Sequence, residues 1–565
     1  MGDDVPSEKS CNGRKNARSK VKSGCRTCKV RKVKCDEGRP ACRKCVSTGR
    51  VCDGYGIWGG GGNLYTDRQR SMITWHGGIT SWPAACMPIF ASCTEAKTLF
   101  EWFKIETAKR IPGPFVLDFW GSLVFQASLS EPAVLYAVLT LSSIHKAQST
   151  VGPGKIPNTK SSNGSQVTLE YYARAIRHLQ SHFSTKQKAS IRVVLITCVV
   201  FVCLELLHGH FRTAQDHLSN GLKVLKEMQM GSRATDGILL LQSSHESIDG
   251  WIFEVFSRLS LEFELLHQSH QHECLILRHN RAMSSMLKFA SFNDAWHDIE
   301  QLLNDIFHLT ERDRRQQLSP SIFFDSTSVL LNEQERIRTR LAQWKTKFER
   351  SSKDLRKKDY YEMRYHLLHA YYFMASIMAG VCLRKNDESI FDLYTEQFVS
   401  LINHSARMCT VKLVFLKEQT SFPEGVDMSR SMVDIGWIPP LYFTALKCRV
   451  HRLRLQAIRL IEAASHREGI WDSRIAACVA RKVMEIEEID FYRNMNTVDD
   501  FAIFDSPKPQ DLLLPTLPIS HRLHEVKLIL SDECSQSVLM DYRPNDTDQE
   551  WKTIEVAIRN PGTLV

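Results

Sequence analysis

A mainly α protein is what this sequence predicts, with a large all-α C-terminal domain behind a small N-terminal module that no apolar core can hold together. Three observations lead there. Apolar residues recur at helical spacing through most of the chain beyond about residue 95. Six of the 17 cysteines fall between Cys25 and Cys52, and the net positive charge is confined to that same N-terminal region. A chain of 565 residues exceeds what one hydrophobic core usually organises, and 43% hydrophobic residues can build a substantial folded unit.

The charge distribution points to a partner. Residues 1–52 carry 15 Lys and Arg against 5 Asp and Glu, which equals the formal charge of the whole chain, +10. Of 73 bases and 63 acids, 58 of each remain beyond residue 52. A polyanion is therefore expected to bind the N-terminal segment alone. Residues 1–24 read as a disordered basic arm; within it "GRKNARSKVKSG" (Gly13–Gly24) suits DNA backbone or a nuclear import signal. The opening "MGDDVPSEKS" is polar and acidic with no apolar stretch behind it, so a secretory signal is excluded and a thiol-reducing, intracellular setting is expected. The most apolar stretch, Val193–Leu204, is too short to cross a bilayer and reads as a buried helix, so no membrane partner is expected.

The six clustered cysteines, Cys25, Cys28, Cys35, Cys42, Cys45 and Cys52, spell C-x2-C-x6-C twice. Zinc takes four thiolates tetrahedrally, and a C-x2-C pair brings two sulfurs to one ion from a single turn. One zinc would leave two cysteines unused, and two separate zinc shells would need eight. Six sulfurs satisfy two ions if two of them bridge. Six thiolates and two zincs carry a net −2, leaving the segment at about +8. An iron–sulfur centre is the competing metal reading, although these spacings match none of its usual patterns. The other eleven cysteines are scattered, and Cys198, Cys203, Cys382, Cys409 and Cys448 read as small core residues.

With Pro40 two residues before the fourth cysteine and "CDGY" at Cys52–Tyr55, the array resembles the Zn2Cys6 binuclear zinc-cluster DNA-binding domain of fungal transcription factors. The resemblance implies two Zn2+ ions bridged by Cys25 and Cys42, with Cys28 and Cys35 completing one shell and Cys45 and Cys52 the other. It also implies double-stranded DNA as partner, with the first half entering the major groove at a CGG-type triplet. By position Lys32 is the base-contacting candidate and Arg31 its helper, since Lys and Arg reach guanine O6 and N7. Lys29, Lys34, Arg26, Arg43 and Lys44 read as phosphate contacts. The second half carries only Arg50 between its last two cysteines, against four bases in the first.

Beyond this DNA-binding domain at 25–52, the Gly-rich "GYGIWGGGGN" opens a flexible linker placed at 53–85. Residues 53–110 show no a/d heptad run, which leaves monomeric binding and homodimerisation through the helical region, without a coiled coil, as open alternatives.

A helical domain is expected over 86–565. "EPAVLYAVLTLSSIHKAQ" (Glu131–Gln148) starts with an acid and a proline, as helices do. A surface loop is expected at 151–165, then a helix at Leu169–Phe183. A helical hairpin follows: an apolar helix around Val193–Leu207, a turn at His208–His210, and Phe211–Met228 with Ala214, Leu218, Leu222 and Leu225 on one face. Val255–Leu266 fits both a strand and a helix, and its helical neighbourhood favours the helix. His366–Leu383 and Pro439–Ile461 read as further helices, with no strand-rich region anywhere.

The pieces "SLSEPAVLYAVLTLSSIH", "YYARAIRHL", "VVLITCVVFVCLELLHGHFRTAQDHLSNGLKVL" and "FSRLSLEFEL" resemble the fungus-specific regulatory domain that follows such clusters. The resemblance implies a nuclear regulator of RNA polymerase II genes that contacts the transcription machinery and controls a metabolic or secondary-metabolite pathway. The alternative is a helical scaffold or metal-dependent enzyme whose zinc module is structural. Catalysis has little support: there is no P-loop, no G-x-G-x-x-G after a strand and no G-x-S-x-G. "HQSHQHEC", with His267, His270, His272 and Cys274, reads as ordinary polar residues in a turn.

Overall fold

The computed structural model describes, in the cysteine-rich segment, residues 25, 28, 31–36 and 42–48. Beyond it, the structure describes 93–150, 162–183, 188–228, 239–241, 248–266, 275–277, 287–318, 327–355, 361–384, 387–417, 433, 436–463, 466–532, 536–544 and 550–558, except 116, 496 and 498. The chain divides into two units, Met1–Ser81 and Trp82–Val565. The histidines of "HQSHQHEC", the basic arm and the expected linker lie outside the described residues.

In the first unit, helix α1 (Arg43–Val46) is a single turn. The larger unit opens with α2 (Thr94–Trp102) and α3 (Phe125–Ser130), each joined to a π-helical turn. Four longer helices follow: α4 (Pro132–Thr150), α5 (Ser162–Phe183), α6 (Lys188–His208) and α7 (Phe211–Met228). α4 packs on α5 and α6, and α6 on α7. Of the loop expected at 151–165, residues 162–165 belong to α5, and residues 151–161 lie outside the described residues.

α6 is apolar all round, so it has no solvent face to offer and sits at the centre. At 21 residues it extends well beyond the apolar stretch, and by length and composition alone it could cross a bilayer. Burial decides otherwise: 89% of its apolar window lies inside the protein. α7 approaches closely at Gly221, where a Cβ would stand 2.5 Å from the Phe256 ring and 2.8 Å from Cys198 Sγ. The ambiguous segment is helix α8 (Ile248–Leu265), buried along nearly its whole length.

Three helices that the apolar pattern did not single out, or only in part, form the next layer: α9 (Phe292–Leu318), α10 (Thr327–Leu355) and α11 (Tyr361–Val381) pack on one another. Aromatic rings meet across their contacts, with Trp296 of α9 edge-on to Tyr371 of α11 at 4.9 Å and Trp344 of α10 stacked on Tyr372 of α11 at 5.5 Å. α11 pairs with α12 (Thr395–Lys417), and α13 (Ile438–Lys447), α14 (His451–Ala463) and α15 (Ser473–Glu488) close the helical part.

Two departures from the sequence reading have physical causes. The helix expected over Pro439–Ile461 breaks at Cys448, whose backbone is extended, and Arg449 is carried inward. Its guanidinium meets Glu487 at 2.9 Å and Glu388 at 3.0 Å, while Arg454 bonds Glu487 at 2.5 Å. An unbroken helix could not aim both arginines at the same carboxylate. Second, the mainly α fold ends in an antiparallel sheet, where no strands were expected: β5 (Leu523–Ile529), β6 (Ser537–Pro544) and β7 (Lys552–Ala557), with β6 central. Short strands β1 (Leu239–Leu241) and β2 (Leu275–Leu277) pair in parallel, and β3 (Arg467–Glu468) with β4 (Trp471–Asp472) make a tight hairpin.

The sheet is fastened to the helices by polar bonds. Glu487 accepts from Leu523 N at 2.6 Å, and Arg522 forks onto Asp392 at 2.8 and 3.1 Å. Asp532, beyond β5, accepts from Arg212 N at 2.7 Å and Thr213 Oγ1 at 2.7 Å, capping α7 from 320 residues away. Of the cysteines read as core, Cys198, Cys203, Cys382 and Cys448 are buried and Cys409 is half-buried. Burial pushes the Cys198 and Cys448 thiols up to about 12, so they stay protonated.

Candidate metal centre and nucleic-acid interface

Four of the six clustered cysteines meet at one point. Cys25, Cys28, Cys35 and Cys42 are buried, and their sulfurs all lie within 4.8 Å of one another. Cys42 Sγ stands 3.6 Å from Cys25 Sγ and 3.6 Å from Cys28 Sγ. That is far beyond a disulfide bond of about 2.05 Å. It is close to the sulfur–sulfur separation of about 3.8 Å that tetrahedral zinc with bonds of about 2.3 Å imposes. Two backbone N–H groups support the sulfurs: Cys28 N donates to Cys25 Sγ and Cys25 N to Cys35 Sγ, both at 3.4 Å. Donors of this kind steady thiolate charge around a metal. These four are the shell that the sequence reading assigned to one ion. The side chain of Cys45 and all of Cys52 lie outside the described residues.

The turn after Cys28 sets the basic face. Val33 N donates to Cys28 O at 3.0 Å, and Lys32 between them has φ of 56°. A bond spanning five residues with a left-handed penultimate residue is the Schellman arrangement that ends a helix, where glycine is usual. Lysine in that conformation costs about 1–2 kcal/mol. Lys32 and Lys34 are exposed, as are Arg43 and Lys44 at the start of α1. Arg26 and Lys29 fall outside the described residues.

Arg31 is differently engaged. Its Nη1 donates to Lys44 O at 3.3 Å and to Thr48 Oγ1 at 3.1 Å, so it ties the first half to the second. Asp36 makes a matching bond: its carboxylate accepts from Arg43 N at 2.9 Å and Lys44 N at 3.1 Å, capping α1. The sequence reading missed Asp36 and Thr48. An acidic residue shortly before a four-residue helix was the available signal for Asp36; nothing local marked Thr48.

Residues 23–57 match the fungal Zn(2)-Cys(6) binuclear cluster domain, and residues 112–378 match the fungal specific transcription factor domain. Together the two matches cover more than half of the chain. The chain belongs to the fungal zinc-cluster transcription factors. The buried four-sulfur site is accordingly half of a zinc-binding binuclear cluster, and members of this family bind DNA and regulate transcription.

Among the relatives of this zinc-cluster factor is an aspercryptin biosynthesis cluster-specific transcription regulator of Emericella nidulans, 29% identical over 42% of this chain and 41% of its own length. The transcription regulator lscL of Purpureocillium lilacinum is 27% identical over 40% of this chain and 55% of its own length. The sterol uptake control protein 2 of Saccharomyces cerevisiae is 52% identical over 7% of this chain. The chain thus spans about half the length of the curated relatives it matches most extensively. No solved structure matches it.

Proposed function

We propose that the protein is a nuclear, sequence-specific regulator of RNA polymerase II genes that reads CGG-type triplets through its zinc cluster. The observation that carries this is the buried four-sulfur site with Lys32 held in a left-handed turn and exposed beside it. Cys25 and Cys42 bridge the two zincs, and Cys45 and Cys52 complete the second shell. Lys32 reads the guanines; Lys34, Arg43 and Lys44, with Arg26 and Lys29, hold phosphates. Arg31 braces the two halves through Nη1, bonded to Lys44 O and Thr48 Oγ1, and its remaining N–H groups can assist Lys32.

The helical domain serves regulation and contact with the transcription machinery, without catalysis. The name of the Emericella nidulans relative supports a secondary-metabolite gene cluster as the target. Binding of the full chain to CGG-containing and scrambled duplexes, with and without a zinc chelator, tests the reading. CGG preference that vanishes on chelation is expected. Equal binding to both duplexes, or binding indifferent to chelation, overturns it.

A further inference from the structure

A second cluster of metal-binding side chains sits in the helical domain, at the corner between α6 and α7. Glu205, His208 and His210 offer one ligand atom each, all within 4.8 Å of one another. The local fold brings them together. α6 ends at His208, Gly209 turns the chain with φ of 86°, and α7 starts at Phe211, so the two histidines flank one left-handed residue one turn from Glu205.

Their surroundings resemble a supported ligand set more than a chance surface cluster. Glu205 is buried, and Tyr172 from α5 donates to its Oε1 at 3.0 Å, leaving Oε2 toward His210 Nδ1 at 2.7 Å. His217 Nε2 lies 3.4 Å from the same Tyr172 hydroxyl. A hydrogen-bonded carboxylate, oriented from behind, is the usual support of a metal ligand. His208 is exposed, and its ring stands edge-on to His210 at 5.2 Å. Arg467 also faces the corner, donating to Leu207 O at 3.2 Å, but its charge is met by Asp472 at 3.2 Å.

We propose that Glu205, His208 and His210 bind one divalent transition-metal ion, a site separate from the cysteine cluster. Two imidazoles and a carboxylate are a ligand set that suits zinc and leaves a fourth position open to water or a partner's donor. An ion bound at about 2.0–2.2 Å to each ligand needs ligand atoms closer together than 4.8 Å. Rotation of the exposed His208 ring closes that gap, and the ion displaces the proton shared by His210 and Glu205. The metal would pin the end of α6 to the start of α7.

The test is zinc content of the full chain, by elemental analysis after dialysis against limiting Zn2+. The wild type is expected to hold one zinc per chain more than His208→Ala/His210→Ala, whatever the cysteine cluster retains. A comparison of equal zinc content in the two proteins overturns the proposal. Glu205→Gln keeps the Tyr172 partner and serves as a second variant should the double variant not fold; it too is expected to lose one equivalent. A Cu2+ titration followed by electron paramagnetic resonance adds a readout of ligand type. Nitrogen and oxygen ligation, lost in the double variant, is expected; signals unchanged by the variant contradict the site.

Discussion

The cysteine-rich module and the helical domain achieve a defined structure by opposite means. In the module, the buried side chains named among its described residues are Cys25, Cys28, Cys35 and Cys42, and the exposed positions include Lys32, Lys34, Arg43 and Lys44. Its interior is a metal shell, so nearly every other position can serve DNA. In the helical domain the interior is apolar and aromatic, with fully buried Trp296, Trp437, Phe119 and Phe256. There, buried charge is costly, and at Arg449, Arg454 and Glu487 it is met by opposite charge. The difference teaches where each region tolerates change: the module in its fillings but not its sulfurs, the domain on its surface but not in its core.

The largest expected effect separates the two regions outright. Removing zinc with a chelator should cost the module its folding free energy, on the order of 10–16 kcal/mol for structural zinc in small domains. Far-ultraviolet circular dichroism of the full chain should meanwhile retain most of its helical signal. Collapse of both together would mean that the domain, too, is held by the cluster metal.

Next comes the domain's own weak point. Glu487→Ala removes the buried carboxylate that Arg449 and Arg454 share, leaving Arg449 with Glu388 and Arg454 with Glu488 at 3.6 Å, and breaking a buried pair in this way costs about 3–5 kcal/mol. Denaturant unfolding of the helical domain measures it. The exposed pair Arg338–Glu335 provides the contrast, since its loss should cost about 0–1 kcal/mol.

Within the module, Lys32 separates geometry from charge. Lys32→Ala should weaken binding to a CGG site by about 1–3 kcal/mol, with less loss on scrambled DNA. Lys32→Gly removes the same charge but relieves the left-handed backbone. It should therefore bind DNA as poorly as the alanine variant while holding zinc more firmly in competition with a chelator. Equal loss on both duplexes would make Lys32 a phosphate contact.

The smallest effect is a pH dependence in the domain. Burial disfavours charge on His451, but bonds to Glu488 at 2.8 Å and Asp499 at 2.9 Å outweigh it and raise its pKa above 6.5. A raised folded-state pKa means that this stabilisation is complete below about pH 6.5 and is lost as pH climbs through the folded value. Melting temperatures across that window should fall with pH more steeply in the wild type than in His451→Gln.

Much of this is legible in the sequence. The repeated C-x2-C-x6-C spacing is enough to mark six cysteines as a shared metal ligand set, and the resemblance to zinc-cluster domains groups Cys25, Cys28, Cys35 and Cys42 on one ion. Helices α4 and α7 show in the apolar periodicity, α6 and most of α11 in their apolar stretches, and α8 only with the help of its helical neighbourhood. Arg31 was harder: its spacing suits a base contact, and only the position of the second half reveals the bonds to Lys44 and Thr48. β5–β7 are hard to read from the sequence because their buried positions, such as Leu528, Val538 and Val556, are few and set among half-buried or exposed residues.

By itself, then, the sequence determined the metal chemistry, the mainly α character and which end faces a polyanion. Those follow from residue type and local spacing, which the chain carries without folding. The tertiary structure decided the break at Cys448, the Asp532 cap on α7, the sheet's attachment through Glu487, and the meeting of Glu205, His208 and His210. The first three bring together groups far apart in the chain, and the last needs a turn whose handedness only the completed hairpin imposes.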